Sequence, residues 1–317
     1  MIHPKYININ RILGAMTFLI SFIVYFDTMA PSVSYWDCGE FIAVSYTLGV
    51  PHPPGSPLFL LLGRIASMLP ISEDIAFRVN LLSPLASAFS VLFLYFIIVQ
   101  LVNHWRGKIE TNTDALIAFG AGIVGSLTFA FTDSHWFNAV EAEVYAFSTF
   151  FTAIVVWLAL LWSEKADEKG NERYILIIAY MIGLATGLHL LNLLTIPFVA
   201  LLIYFKKYKF EWTSFSILVV VTGFVFFIIH NVIIKGMPKI ADAIGVSATA
   251  LLVITIFASM VWAILNHKQL LSIVLTSIVL VLIGYSTYAM IFIRSNQNPG
   301  IDENDPETVE AFISYLE

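Results

Sequence analysis

The polar stretch that follows the first long apolar segment reads Ser34-Tyr-Trp-Asp-Cys-Gly-Glu-Phe-Ile-Ala-Val-Ser-Tyr-Thr-Leu-Gly-Val-Pro-His-Pro-Pro-Gly-Ser-Pro57. It places two acids, Asp37 and Glu40, among aromatic residues, and it ends in a proline-rich turn around His52. Prolines oppose regular helix and favour extended backbone. Because the chain carries little charge elsewhere, this concentration of polar residues at a predicted membrane exit indicates a functional loop.

The composition predicts a polytopic membrane protein. Of the 317 residues, 59% are hydrophobic and 12% are charged, whereas soluble domains carry about 25% charged residues. The mean hydropathy is +0.85. The net charge of −6 argues against a broad basic surface for nucleic acid. The single cysteine, Cys38, cannot form an intrachain disulfide.

Apolar windows predict an all-α helical bundle. A spanning helix needs about 20 mainly apolar residues, and about nine segments meet that criterion. They are 12–30, 79–102, 114–132, 146–163, 174–190, 191–205, 213–234, 246–266 and 270–293. The first has no small-residue cleavage pattern at its end, so we interpret it as a retained helix rather than a signal peptide. The halves of 174–205 are short, and only Gly187, His189 and Asn192 separate them.

The distribution of lysine and arginine predicts a cytoplasmic N-terminus. The inside loops are then short and basic: 103–113, 164–173, 206–212 and 267–269. The main outside loops are 31–78, 133–145, 235–245 and the tail from 294, where basic residues are sparser. Residues 58–70 are apolar but too short to span, and Arg64 lies in their middle. We therefore expect them to lie in the outer interface, since a full crossing would reverse the charge bias.

Two interpretations of the first outer loop are open. Asp37 and Glu40 are three positions apart, so they would share one face of a helix. They are either solvated acids at a helix start, which the helix dipole favours, or a functional pair at the membrane surface. His52 is either a hydrogen-bonded structural imidazole or a titrating group near a ligand.

A second outer loop brings further acids to the same side. It reads Asp133-Ser-His-Trp-Phe-Asn-Ala-Val-Glu-Ala-Glu-Val-Tyr145. On a helix, Glu141 and Glu143 would point to different faces, so at most one would face a cavity unless the segment is extended. The alternative is a pair of solvated acids at the start of the fourth span. Acids from two loops suit a base, a metal site, or both. A divalent ion such as Mg or Mn, if present, would use Asp37, Glu141 and Glu143.

Polar residues near the helix ends have ordinary explanations beside functional ones. His189 and Asn192 are expected to form interhelical hydrogen bonds. Arg294 follows the last span, where a fixed cation suits a phosphate. It is equally suited to pair with Asp302 or Glu303.

Four blocks of sequence carry a family resemblance. They are Tyr35-Trp-Asp-Cys-Gly-Glu-Phe-Ile42, Gly49-Val-Pro-His-Pro-Pro-Gly-Ser-Pro-Leu58, Trp136-Phe-Asn-Ala-Val-Glu-Ala-Glu-Val-Tyr145 and Asn296-Gln-Asn-Pro-Gly-Ile-Asp-Glu-Asn-Asp-Pro306. With them the chain resembles the transmembrane protein 260 family, the protein O-mannosyltransferase-like membrane proteins of the GT-C glycosyltransferase superfamily. The first two blocks are long and specific.

The resemblance implies a GT-C-like bundle, a single domain over 1–317, with its active site in the outer loops. Such enzymes transfer a sugar, here mannose, from a polyprenyl-phosphate donor to a hydroxyl, here of a protein Ser/Thr. By position Asp37 would be the base for that hydroxyl, Glu40 would assist it, and Glu141 or Glu143 would complete the site. The implied location is a bacterial inner membrane, with the active site on the periplasmic face.

Some features depart from better-known O-mannosyltransferases. Those proteins have adjacent Asp-Glu in this loop, whereas Cys38 and Gly39 intervene here. They also carry a lysine after the His-Pro-Pro turn, which this chain lacks. The cation for the donor phosphate is therefore not assigned by motif, and the candidates are Arg64, Arg78 and Arg294. The soluble C-terminal region typical of the family is expected to be absent or truncated.

Two other function classes stay open. A secondary transporter would show an ionisable residue near the bilayer midplane and broken helices in paired halves. A non-catalytic lipid-binding or assembly subunit would bind the donor lipid without turnover. For the transferase, the predicted substrate contacts are His52, Glu141, Glu143, Arg64 and Arg294. Its predicted partners are the sugar donor, a protein acceptor and membrane lipids, with no nucleic acid.

Overall fold

Helices make up the fold of this chain. The computed structural model describes residues 3–317, and within that range it contains no β-strand. An isolated parallel bridge pairs Val50 with Asp302. The prediction of an all-α polytopic membrane protein is confirmed.

The helices follow one another through short connections. The first eight are α1 (Pro4–Thr28), α2 (Cys38–Thr47), α3 (Pro57–Met68), α4 (Ile75–Asn80), α5 (Leu82–Arg106), α6 (Asn112–Ala130), α7 (Asp133–Ala139) and α8 (Val144–Glu164). The remainder are α9 (Glu172–Thr186), α10 (Thr195–Lys207), α11 (Trp212–Phe227), α12 (Gly236–Ile244), α13 (Val246–Leu265), α14 (Gln269–Tyr285), α15 (Ala289–Ser295) and α16 (Val309–Leu316). Short 3₁₀ turns precede α10 and α15, at Leu190–Leu194 and Ser286–Tyr288, and a π-helical turn at Ile228–Ile234 extends α11.

Eight segments of the described chain are long and apolar enough to cross a membrane. They are Pro4–Thr28, Ile75–Arg106, Asn112–Ala130, Val144–Glu164, Leu190–Lys207, Trp212–Ile234, Val246–Leu265 and Gln269–Ser295. The sequence predicted about nine, and the difference lies at 174–190. There α9 has 15 residues and stops before Gly187, which is short of the roughly 20 that a crossing needs.

Local polar contacts build the 3₁₀ turn that follows the end of α9. The His189 side chain accepts a hydrogen bond from the Leu191 backbone N–H at 3.2 Å, so it caps the 3₁₀ turn before α10. The Asn192 amide donates to the His189 carbonyl at 3.0 Å. These residues therefore shape the turn between α9 and α10. The sequence analysis had instead expected them to form interhelical hydrogen bonds.

Residues 58–70 form the short apolar helix that the sequence predicted. Helix α3, Pro57–Met68, has 12 residues and is too short to count as a membrane span. Its position at the outer interface stays a prediction.

The chain divides into two compact units. The first contains residues up to 46 together with 62–164, and the second contains 47–61 together with 165–317. The prediction of a single GT-C-like domain over 1–317 stays a prediction.

Helix α5 is the centre of the first unit. It packs against α1, α6 and α8. The contact with α6 is close, because a Cβ on Gly122 would lie 2.8 Å from the Tyr95 ring. Large apolar side chains of α1 such as Ile12 and Ile23 remain exposed, at 59% and 62%, which suits a surface that faces lipid.

The chain connections at one end of the first unit are tied together by hydrogen bonds. The Ala30 N–H donates to the Val140 carbonyl at 2.8 Å. The buried Asn80 amide donates to the carbonyls of Ala30 and Ser32, both at 2.9 Å. The exit of α1, the end of α4 and the segment after α7 therefore meet, and this end carries predicted polar residues of both outer loops.

The second unit is built around the pair α9 and α14, which pack most extensively. Their backbones come close at two glycines. A Cβ on Gly183 would lie 2.6 Å from the Val281 carbonyl oxygen, and a Cβ on Gly284 would overlap the backbone at Gly183. Small residues allow such approach between membrane helices.

The proline-rich turn belongs to the second unit and is held by the C-terminal segment. The Val50 N–H donates to the Ile301 carbonyl at 2.9 Å, and the Glu303 N–H donates to the Val50 carbonyl at 3.1 Å. The Tyr315 hydroxyl donates to the Pro51 carbonyl at 2.6 Å. Residues far apart in sequence therefore fix the geometry of this turn.

Candidate functional site

Asp37 lies at the start of α2, in the exposed part of the first polar loop. Its carbonyl accepts a hydrogen bond from the Phe41 N–H at 2.9 Å, so the first helical turn begins at this residue. The Asp37 side chain is exposed and Glu40 is half-buried. A carboxylate oxygen of each lies within 4.8 Å of one from the other. The predicted pairing of these two acids on one side of a helical turn is therefore present.

The backbone before Asp37 has an uncommon conformation. Trp36 adopts φ = 58°, a left-handed value that is a genuine outlier for a bulky residue. Tyr35 and Trp36 are 85% and 84% exposed. Phe41, the aromatic residue that follows Glu40, is by contrast buried at 4%. It lies on the inner face of α2, because it follows Cys38 by one helical turn.

Both acids of the second polar loop are buried. Glu141 is 4% exposed and Glu143 is 7% exposed. Residues 140–143 lie between α7 and α8 without helical structure. The alternation that a helix would impose is therefore absent, and both side chains turn inward. The interpretation of Glu141 and Glu143 as solvated acids at the start of the fourth span is wrong for this reason.

The two polar loops of the first unit contact each other through these acids. The Ser34 hydroxyl donates to Glu141 Oε2 at 2.5 Å. The Cys38 thiol lies 4.0 Å from Glu143 Oε1, at the long end of a thiol hydrogen bond. Glu143 also starts α8, because its Oε2 accepts from the Val144 N–H at 3.2 Å. Acids from the second loop thus reach the segment that carries Asp37.

Cys38 is the residue of this site whose role the sequence did not reveal. It is fully buried. Burial raises the pKa of the thiol, and the nearby carboxylates of Glu141 and Glu143 raise it further. The thiol is therefore held in its protonated, donating form. Ser34 was missed as well, since a serine directly before two aromatic residues carries no signal of a carboxylate partner.

His135 lies behind the second loop, in the interior of the first unit. It is 7% exposed. Its ring centroid is 4.2 Å from that of Phe129 and 5.9 Å from that of Tyr25. Burial lowers the pKa of His135 to about 4, and a hydrogen bond to the Ser87 backbone opposes that shift. The imidazole is therefore neutral at physiological pH.

The two arginines of the first unit that are candidates for the donor phosphate, Arg64 and Arg78, are engaged with backbone carbonyls. Arg64 donates to the Tyr46 carbonyl and lies 5.6 Å from the centroid of the Tyr46 ring. Arg78 donates to the carbonyls of Ser72 and Ser67 at 2.6 and 2.8 Å. Both side chains hold the chain around α3, and their predicted role as phosphate-binding cations stays a prediction.

Arg294 and His52 lie together with the proline-rich turn in the second unit. Arg294 donates to the carbonyls of Leu48 and Thr47 at 2.6 and 3.2 Å. The predicted alternative partner Asp302 instead accepts from the Ser295 hydroxyl at 3.1 Å. His52 is half-buried, and its carbonyl accepts from the Gly55 N–H at 2.9 Å. Arg294 therefore fixes the chain that leads into the turn.

The predicted metal-ligand set is not assembled. Within residues 3–317, the ligand atoms of Asp37, Glu141 and Glu143 do not gather around one point. Glu141 is turned to Ser34 and Glu143 to Cys38, while Asp37 is exposed. A requirement for Mg or Mn stays a prediction.

Together, the helices and the polar loops define a multi-pass helical membrane protein with acids gathered at one end of its first unit. Residues 37–212 match the family model described as the Protein O-mannosyl-transferase TMEM260 N-terminal domain. The match covers more than half of the 317 residues, so the chain belongs to this family.

Two relatives illustrate the likeness. The chain is 31% identical over 198 residues to "Protein O-mannosyl-transferase tmem260" of Dictyostelium discoideum, covering 58% of this chain and 22% of the relative. It is 29% identical over 162 residues to "Protein O-mannosyl-transferase TMEM260" of Mus musculus, covering 51% of this chain and 21% of the relative. The match therefore spans about a fifth of the length of either relative, at 22% and 21%. No solved structure matches the chain.

Proposed function

We propose that this chain is a membrane glycosyltransferase that moves mannose from a polyprenyl-phosphate donor to a hydroxyl of a protein Ser/Thr. Family membership and the names of the relatives support a mannosyl transfer. The observation that carries the assignment of the site is the exposed carboxylate of Asp37 beside Glu40, at the start of the matched region.

Asp37 is the proposed general base. The acceptor oxygen attacks the anomeric carbon while the bond from that carbon to the donor phosphate breaks. The hydroxyl proton passes to the Asp37 carboxylate, and the electron pair of the broken bond leaves with the polyprenyl phosphate. Such a base must be within hydrogen-bond reach of the hydroxyl. Exposure gives Asp37 that access, and Glu40 supplies a second acceptor nearby.

The leaving phosphate gains negative charge, which a cation stabilises. The proposed sources are Arg64, Arg294 or a bound Mg or Mn ion. The lysines and arginines of 103–113 and 164–173 support a cytoplasmic side for those loops, and therefore the proposal that this chemistry occurs on the non-cytoplasmic face. In a bacterial cell that face would be the periplasmic side of the inner membrane. A polyprenyl phosphate is amphipathic, so its sugar is accessible at this interface.

The test is sugar transfer by the purified full chain and its variants. Radiolabelled polyprenyl-phosphate mannose is incubated with membrane acceptors, with and without EDTA. We expect Asp37→Asn to lower transfer by about 100-fold or more, because general bases contribute that much. The matched control is Asp133→Asn, which removes an exposed acid from the second loop and should retain transfer.

The outcomes separate the open possibilities. A folded Asp37→Asn protein with parental activity would show that Asp37 is not the base. Loss of transfer in EDTA that Mg or Mn restores would establish the metal requirement. Binding of the donor lipid with no transfer under any condition would favour the non-catalytic subunit.

A further inference from the structure

Glu141 and Glu143 are buried acids that contact the segment carrying the proposed base, and the proposed chemistry does not use them directly. A group that exchanges a proton with a substrate must reach that substrate. Glu141 and Glu143 are 4% and 7% exposed, and each has a partner from the first loop. Their placement therefore suits a role within the protein rather than contact with the sugar.

We propose that Ser34–Glu141 and Cys38–Glu143 form a latch that fixes the segment carrying Asp37, so that Glu141 and Glu143 are positioning residues. This inference rests on the proposed function for its consequence in catalysis. The latch itself is a feature of the first unit and is testable without any substrate.

The geometry supports the latch at two points on either side of the base. Ser34 lies three positions before Asp37 and donates to Glu141 at 2.5 Å. Cys38 lies one position after Asp37 and contacts Glu143 at 4.0 Å. The contact of Ser34 is at the short end of the range for O–H···O hydrogen bonds, whereas that of Cys38 is at the long end for a thiol donor. The strand of chain between the two contacts is therefore held at both ends.

The second loop is itself anchored, so it can serve as the fixed side of the latch. The Ala30 N–H bonds to the Val140 carbonyl at 2.8 Å. The Glu143 N–H lies 3.5 Å from the Ser83 hydroxyl on α5. Glu143 also caps the first turn of α8. Movement of the second loop would disturb its contacts with the end of α1, with α5 and with α8. The first loop is held less firmly, because its residues Tyr35 and Trp36 are mostly exposed.

Cys38 supplies a direct readout, because it is the single cysteine of the chain and is fully buried. Its rate of alkylation by N-ethylmaleimide measures how often the first loop opens. We expect Ser34→Ala and Glu141→Ala each to raise this rate about 10-fold, the effect of losing one charge-assisted bond. The double variant should be no faster than either single variant, because both remove the same contact. Asp133→Asn is the control.

The activity arm separates positioning from direct chemistry. Displacing a base lowers kcat, so Ser34→Ala should reduce kcat more than it changes KM. Glu141→Gln keeps an oxygen that accepts from Ser34. It should restore most of the Cys38 protection and of the kcat lost in Glu141→Ala.

Two results would overturn the latch. If Ser34→Ala and Glu141→Ala leave alkylation of Cys38 at the parental rate, the contacts do not hold the loop. If Glu141→Gln is as inactive as Glu141→Ala while Cys38 stays protected, Glu141 acts on the chemistry itself. If the parent transfers no sugar, the proposed function fails, and the alkylation rates still decide whether the latch exists.

Discussion

Acidification should destabilise the first unit through one residue, His135. This imidazole is 7% exposed and packs against Phe129. Burial lowers its pKa to about 4, whereas the pKa in an unfolded chain is about 6.5. Below pH 6.5 the unfolded state therefore binds a proton that the folded state excludes.

The sign and size of the effect follow from linkage. A depressed folded pKa contributes stability that is present above the unfolded value and is lost as the pH falls towards the folded value. The slope between these values approaches about 1.4 kcal/mol per pH unit. Between pH 7 and pH 5 the free energy of unfolding should fall by about 2 kcal/mol from His135 alone. The loss should end below a pH of about 4, once both states are protonated.

The assay is unfolding in detergent followed by helical circular dichroism, which does not depend on the reactivity of a thiol. His135→Phe keeps an aromatic ring against Phe129 and removes the titrating group. We expect it to lose the excess pH dependence between pH 7 and pH 5, even if its stability at pH 7 is lower. His104→Gln removes an exposed imidazole and should keep the parental slope. Equal slopes for the parent and His135→Phe would refute the reasoning.

Two further predictions concern the second unit, and both are measured as thermal unfolding followed by helical circular dichroism. Gly183→Ala would place a Cβ 2.6 Å from a carbonyl oxygen of α14, so it should destabilise by about 1–3 kcal/mol. Gly223→Ala on α11, whose Cβ would meet nothing within 4 Å, should not destabilise, and equal losses for both would contradict the packing argument. Tyr315→Phe leaves the buried Pro51 carbonyl without its 2.6 Å donor and should cost about 1–2 kcal/mol. An unchanged midpoint would show that this bond does not hold the turn.

The membrane spans were predictable from hydropathy, because a segment that crosses lipid must be long and apolar. In lipid every backbone polar group must be satisfied within the structure, so long apolar segments become helices. The helix ends were less predictable. The first window began at 12, but α1 starts at Pro4, because a helix continues through polar residues beyond the apolar core. The segment 174–190 also matched the window, yet α9 ends at Thr186, and a 3₁₀ turn capped by His189 follows.

The sequence predicted where the polar loops lie along the chain, but it did not predict how their side chains are arranged. Motif blocks and charge identified both loops, and the structure brings them together in the first unit. The direction of Glu141 and Glu143 depended on whether residues 140–143 are helical, which hydropathy does not decide. The partners Ser34 and Cys38 are one polar hydroxyl and one small thiol. Neither residue lies in a sequence pattern that indicates a contact with a distant acid. Ser34 and Glu141, for example, are 107 positions apart.

Burial divides the acids that the sequence had grouped as one site. Asp37 is exposed, whereas Glu141 and Glu143 are withdrawn from solvent and engaged with the first loop. Burying a carboxylate is costly unless hydrogen bonds compensate, and the contacts with Ser34 and Cys38 supply such compensation. The same contacts would hold the segment that carries Asp37, and this matters because small displacements of a catalytic group reduce rates strongly. In the mechanism that we propose, Asp37 meets the substrate, and Glu141 and Glu143 fix the segment that carries it.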